Sequence, residues 1–217
     1  MNLKFNRDEV AITFVNHATV LVQTEKFNFL TDPVWSERVS PIRWIGPIRH
    51  REPGIPFEQL PKIDFVLVSH NHYDHMDVAT LQRLNETFHP RFFVPLGNKR
   101  FLDGRGIENV TELDWWQSDK QTQNLKVSLA PAEHFSGRGL FDRNKIDLEA
   151  AIKKKKLLKS RFITLPEGRT NRFKIKRTAH LDCFEVIIFF LTNPDIYYSA
   201  MANKHWALHC LGRLLPN

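Results

Sequence analysis

The chain has 217 residues, 42% hydrophobic and 25% charged, with a net charge of +7. That is the composition of a soluble globular protein with room for one sizeable domain or two small ones. Two cysteines, Cys183 and Cys210, are too few for a disulfide framework and fit a reducing compartment. The basic balance suits an anionic partner (a phosphate ester, a phospholipid surface or nucleic acid) and equally a generic basic surface.

The N-terminal "MNLKFNRDEVAITF" has no basic stretch leading into an apolar one, so no signal peptide is expected. No apolar run approaches the 18 residues of a membrane span, and "FEVIIFFL" amounts to a buried strand at most. Residues 10–31 read as paired strands, "VAITFVNHATVLVQ" and "KFNFLTD", with "TEK" as the turn between them. Residues 33–61 are rich in Pro, Gly, Arg and Trp and read as one long loop. Loops of that length are usually functional or disordered. The aromatics and arginines suit either a binding surface or packing over a sheet edge.

"IDFVLVS" is apolar without interruption, which predicts a strand buried on both faces. "DVATLQRLNETF" has helical spacing, with Val78, Leu81 and Leu84 on one face and Asp77 as N-cap. "RFFVPLG" reads as a strand, "NKRFLDGRG" as helix then turn, and "NVTELDWWQS" and "LKVSLAPAEHF" as further strands. Residues 1–140 therefore have an α/β pattern, with no internal repeat. From Asn144 the chain turns basic and poorly patterned, with Lys153 to Lys156 as a run of four. That run reads as a solvated face or tail. No recognition motif supports nucleic-acid binding, and none is expected.

The chemistry lies in "HNHYDH", residues 70–75, directly after the buried strand. Imidazole and carboxylate are ligands that suit zinc and similar divalent ions. Alternate residues leaving a strand point to one side, so His70 and His72 can share an ion. Asp74 and His75 then fall on the following turn and can face a second ion, or the same one. His134, in "LAPAEHFSGRG", also follows a strand and is the candidate third histidine. Such a site makes a water of lowered pKa the nucleophile, and Asp74, if not purely a ligand, is placed to accept its proton.

These residues belong to a longer resemblance. "VNHATVLVQ", "FLTDPVWSERVSP", "GPIRHREPG", "LPKIDFVLVSHNHYDHMD", "RFFVPLGNKRFL", "VTELDWWQS" and "LAPAEHFSGRGLFDRNK" run in one order over about residues 10–145. Together they resemble the metallo-β-lactamase fold, in the branch containing N-acyl-phosphatidylethanolamine-hydrolysing phospholipase D. The resemblance implies an αβ/βα sandwich with two zinc ions at one edge. His70, His72 and His134 would hold one ion, Asp74 and His75 the other. It implies hydrolysis of a phosphodiester in an N-acylated phospholipid or related substrate, by a cytoplasmic protein working at the membrane surface without a transmembrane segment. His17 and Asp32 lie in family-like segments near the site, Asp32 as an outer partner of the ligands or as a structural turn residue.

Two family elements are missing: F-A-G-D-T-G, whose aspartate bridges the metals, and the late I-H-W-G-T-F, whose histidine completes the second site. "HWALHCLG", with His205 and His209, echoes the latter only loosely. Back-translated from the third base of the Arg161 codon, "RFITLPE" can spell I-Y-Y-F-A-G. The same offset gives G-T-F over Leu211 to Leu214 and F-G-G-G-Y over Asp147 to Ile152. Residues 1–145 are therefore expected to be the family's N-terminal half, the only half intact, and 146–217 a non-matching basic tail, either translated out of frame or a divergent C-terminal half. The sheet would then lack the layer that covers its second apolar face. The resemblance still makes a zinc-dependent hydrolase the leading reading; the alternatives are another hydrolase on this fold, a lactonase or different phosphodiesterase, or a non-catalytic remnant that holds one zinc or none.

Overall fold

The computed structural model describes residues 9–40, 44–46, 48–122 and 125–129, and the backbone of four further strands at 163–164, 170–174, 184–188 and 207–208. Fifteen elements follow in order: β1 (Glu9–Asn16), β2 (Thr19–Thr24), β3 (Asn28–Thr31), a 3-10 turn (Phe57–Gln59), β4 (Phe65–Leu67), α1 (Val78–Phe88), β5 (Arg91–Pro95), α2 (Lys99–Asp103), β6 (Val110–Leu113), β7 (Ser118–Thr122), β8 (Leu125–Leu129), β9 (Ile163–Thr164), β10 (Thr170–Lys174), β11 (Phe184–Ile188) and β12 (Ala207–Leu208).

A seven-stranded sheet has the order β10-β1-β2-β3-β4-β5-β6. β10, β1, β2 and β3 pair antiparallel, and β3 to β6 parallel. The first apolar run is thus two strands: β1 and β2 turn on His17 and Ala18, with Asn16 opposite Thr19 and His17 left-handed at φ 39°. A two-residue turn that reverses the chain needs such a conformation, and Asn and His tolerate it better than most residues. Among its described residues, the loop from Asp32 to Asp64 contains only the 3-10 turn and one bridge, Arg38 to Ile48. It also packs over the sheet, since Val34, Ile55, Phe57 and Leu60 are all buried.

β4 is fully buried, as an uninterrupted apolar run between parallel neighbours requires. Val66 faces one core with Val15, Leu21, Leu30, Phe92, α1 residues Leu81 and Leu84, and Leu102 of α2. Phe65 and Leu67 face the other with Phe14, Phe29 and Phe93. Phe29 and Phe65 pair in register and stack at 4.6 Å. Asp77 caps α1, accepting from the Thr80 amide, and His89 ends it in the left-handed conformation before Pro90.

The second apolar face is not bare, contrary to the expectation that it would lose its partner layer. Leu125, Val127 and Leu129 of β8 pack on it together with Trp115. They belong to a second sheet, β11-β8-β7. β7 escaped the sequence reading because Ser-Asp-Lys-Gln-Thr has no apolar alternation; pairing with β8 makes it a strand. Helices on one face of the first sheet and a second sheet on the other are the first three layers of the expected sandwich.

Candidate metal centre

The parallel strands end at one edge, and the ligand-type residues collect there, where open α/β sheets present their sites. β3 delivers Asp32 one residue past its end, and β4 delivers Val68, Ser69 and His70. Backbone bonds from Asp32 to Leu67 (2.8 Å) and from Val68 to Phe93 (2.9 Å) carry the pairing beyond the strands. The β1–β2 turn brings His17 to the same edge. Thr19 Oγ1 donates to the Asp32 carbonyl (2.7 Å) and accepts from the Val34 amide (3.1 Å), tying that turn to the end of β3. His72 to Met76 then form a tight turn, with the His75 and Met76 amides both bonded to the His72 carbonyl at 3.1 and 2.7 Å. Met76 is buried and anchors the turn in the core.

Asp32 is the hub. It is 6% exposed and left-handed at φ 37°, a conformation aspartate accepts more readily than most residues. Its Oδ1 accepts from the Ser69 amide (2.6 Å), and its Oδ2 from Ser69 Oγ (2.6 Å) and His75 Nδ1 (2.8 Å). Ser69 has one hydroxyl proton, and Asp32 takes it. Ser69 Oγ must therefore accept from His70 Nδ1, 2.9 Å away. The network assigns His70 and His75 the same tautomer, with the proton on Nδ1 and a lone pair on Nε2. A carboxylate held behind a histidine in this way is the usual outer support of a metal ligand.

Two groups of donors result. His70 Nε2 and His72 Nδ1 stand 3.0 Å apart, as two ligands of one ion would. Beside them, one ligand atom each from His17, Asp74 and His75 lie within 4.8 Å of one another. His17 Nε2 is 3.0 Å from Asp74 Oδ2, and His75 Nε2 is 3.8 Å from the same oxygen. The rings of His70 and His75 are only 4.1 Å apart, so the groups adjoin.

Burial acts to raise the Asp74 pKa, but the hydrogen bond from His17 and the charges of His75 and His17 outweigh it and hold the carboxyl well below its usual range. Burial likewise acts to lower that of His75, and the Asp32 and Asp74 carboxylates overcome it and push the imidazole upward. An ionised carboxylate and tautomer-fixed imidazoles fit a divalent cation.

The sequence-predicted residues His70, His72, Asp74 and His75 thus converge, while His134 lies outside the described residues. His17, placed from sequence only near the site, stands among the ligand atoms. Its signal was the Asn-His pair between two apolar strands. Asp32, placed only as an outer or turn residue, proves to support two histidines at once.

Residues 27–151, more than half of the chain, match the family model described as the beta-lactamase superfamily domain, and the chain belongs to this family. N-acyl-phosphatidylethanolamine-hydrolyzing phospholipase D 1 of Caenorhabditis elegans is 43% identical over 141 residues, 61% of this chain and 40% of that one. The mitochondrial N-acyl-phosphatidylethanolamine-hydrolyzing phospholipase D of Saccharomyces cerevisiae is 38% identical over 119 residues, 54% of this chain and 25% of that one. Among solved structures, the diiron beta-hydroxylase CmlA of Streptomyces venezuelae aligns with a TM-score of 0.41 at 30% identity, over 53% of this chain and 22% of that one. The chain thus spans 40% or less of the length of these relatives. No described helix is long and apolar enough to cross a membrane.

Proposed function

We propose that the chain is the metal-binding half of a zinc-dependent hydrolase that cuts a phosphodiester in an N-acylated phospholipid at a membrane surface. The observation that carries this reading is the convergence of His17, His70, His72, Asp74 and His75 on one sheet edge, backed by Asp32. The family membership and the likeness to two phospholipases D support it. His70 and His72 hold a first ion, with His134 as third ligand, and Asp74 and His75 take part in holding a second. A bound divalent ion supplies Lewis acidity at the phosphoryl oxygen and lowers the pKa of a water. Asp32 and Ser69 keep the Nε2 lone pairs of His70 and His75 turned to the site. Asp74, held ionised, serves better as a ligand than as a proton acceptor, since so acidic a carboxyl is a weak base. The net charge of +7 favours an anionic lipid surface. Residues 1–145 form the working unit in this reading, and 146–217 the out-of-frame tail.

The test is release of phosphatidic acid from vesicles containing N-acyl-phosphatidylethanolamine, with zinc supplied and then chelated. Zinc-dependent release that His72→Gln abolishes is expected. Cleavage of lactones in place of the phospholipid would make the chain a different hydrolase. Bound zinc with no turnover of either substrate would make it a non-catalytic remnant.

A further inference from the structure

The geometry points to His17 as a protein ligand that completes, with Asp74 and His75, a cation site of two imidazoles and one carboxylate built wholly from residues 17–75. This rests on the metal-binding reading above and goes beyond it, because there His17 was given no ligand role at the second ion.

Three observations concern His17 and a fourth its neighbour His75. Its Nε2 is 3.0 Å from Asp74 Oδ2, and the same ring meets His75 edge-on with centroids 5.0 Å apart. All three ligand atoms therefore surround one small volume. Its backbone is left-handed at φ 39°, as the tight β1–β2 turn requires, which fixes where the ring projects. The turn carrying it is fixed on both sides: Asn16 Nδ2 donates to the Val34 carbonyl (2.8 Å), and Thr19 Oγ1 to that of Asp32 (2.7 Å). Finally, His75 has its outer carboxylate in Asp32, as ligating histidines usually do.

Two histidines and one carboxylate, with further positions open, are the donor set of catalytic zinc sites and of non-haem iron(II) sites. A hydrogen bond alone would explain the contact between His17 and Asp74. His75 Nε2 faces the same volume, 3.8 Å from the same Asp74 oxygen, so one cation there would meet all three groups.

The deciding experiment uses the full chain carrying His72→Gln, which disables the neighbouring pair, loaded with one equivalent of zinc and studied by X-ray absorption. Two imidazoles on the ion are expected, falling to one when His17→Asn is added. Asparagine is chosen because it accepts a left-handed φ, so the melting temperature in chelator should not change. Chelator competition should also give at least about tenfold weaker zinc binding for His17→Asn, the scale on which even outer supports act. One imidazole in both chains, with equal affinity, would show that His17 only hydrogen-bonds Asp74 and would overturn the assignment while leaving the metal-binding reading intact. A chain with His72 in place that takes up neither zinc nor iron(II) would overturn both. If His17→Asn unfolds the chain, His17→Gln is measured by the same two readouts.

Discussion

Ser69 and Asp32 are joined twice: the serine amide and the serine hydroxyl each donate to a different oxygen of the one carboxylate, both at 2.6 Å. The pair locks the end of β4 to the end of β3. It also fixes the tautomer of one histidine through the serine and of another through the carboxylate.

Asp32→Asn should therefore fail in two ways. An amide NH2 would face hydrogen-bond donors, leaving the buried Ser69 or His75 group unsatisfied at a cost of about 1–3 kcal/mol. Zinc affinity should fall by about 10–100-fold as His75 loses its outer partner. Urea midpoints and chelator competition measure the two effects separately. A variant with unchanged affinity would remove Asp32 from the site.

The pH dependence of the metal-free chain follows from His75 and Asp74. The folded His75 pKa lies above its ordinary value of 6.5. Its contribution to stability is therefore full below about pH 6.5 and is lost as pH rises through the folded value. Asp74 has the opposite sign: its folded pKa lies below 3.8, so its contribution is present above that value and is lost as pH falls through the folded one. In chelator, urea midpoints should drop on going alkaline from about pH 6.5, and His75→Gln should flatten that drop. Zinc affinity should rise across the same window, because the ion displaces the His75 proton.

Asp77 couples the helix to the loop. Its carboxylate accepts from the Ser36 amide (3.0 Å), Ser36 Oγ (2.8 Å) and Thr80 Oγ1 (2.6 Å), and caps the Thr80 amide. Asp77→Ala should destabilise by about 2–4 kcal/mol, a lost cap plus stranded donors. Asp77→Asn retains the cap and should cost less. Equal denaturation midpoints for the two variants would show that the cap matters little.

Nucleotide sequence across codons 140–170 tests the out-of-frame tail. Codons for I-Y-Y-F-A-G, read from the third base of the Arg161 codon, are expected. A clean frame without them would make the tail genuine and direct the search for further ligands to His180, His205 and His209.

The contiguous part of the centre was legible in the sequence because His70, His72, Asp74 and His75 lie within six residues of a strand that its composition announces. Asp77 was legible for the same local reason. His17 and Asp32 act through register: β2 pairs with β3 and β3 with β4, and only that lateral order sets a turn at residue 17 beside one at residue 74. Neither pairing leaves a local mark, though the turn pair Asn16–His17 and the strand-end pair Thr31–Asp32 hint at it. The β1–β2 break was missed because His17 and Ala18 carry none of the usual glycine signal. β7 was missed because its residues are polar.

The contact between His17 and Asp74 spans 57 positions of the chain. A cation gripped from both sides acts there as a removable staple. It closes a loop whose entropy cost grows by only about 0.6 kcal/mol with each doubling of length, so binding energy at this edge is also folding energy for the sheet beneath it. With that site filled, metal supply would add to the strand pairing and core packing that hold the β1–β2 turn against the turn after β4. Starved of the ion, the chain would loosen first at the corner where its chemistry resides.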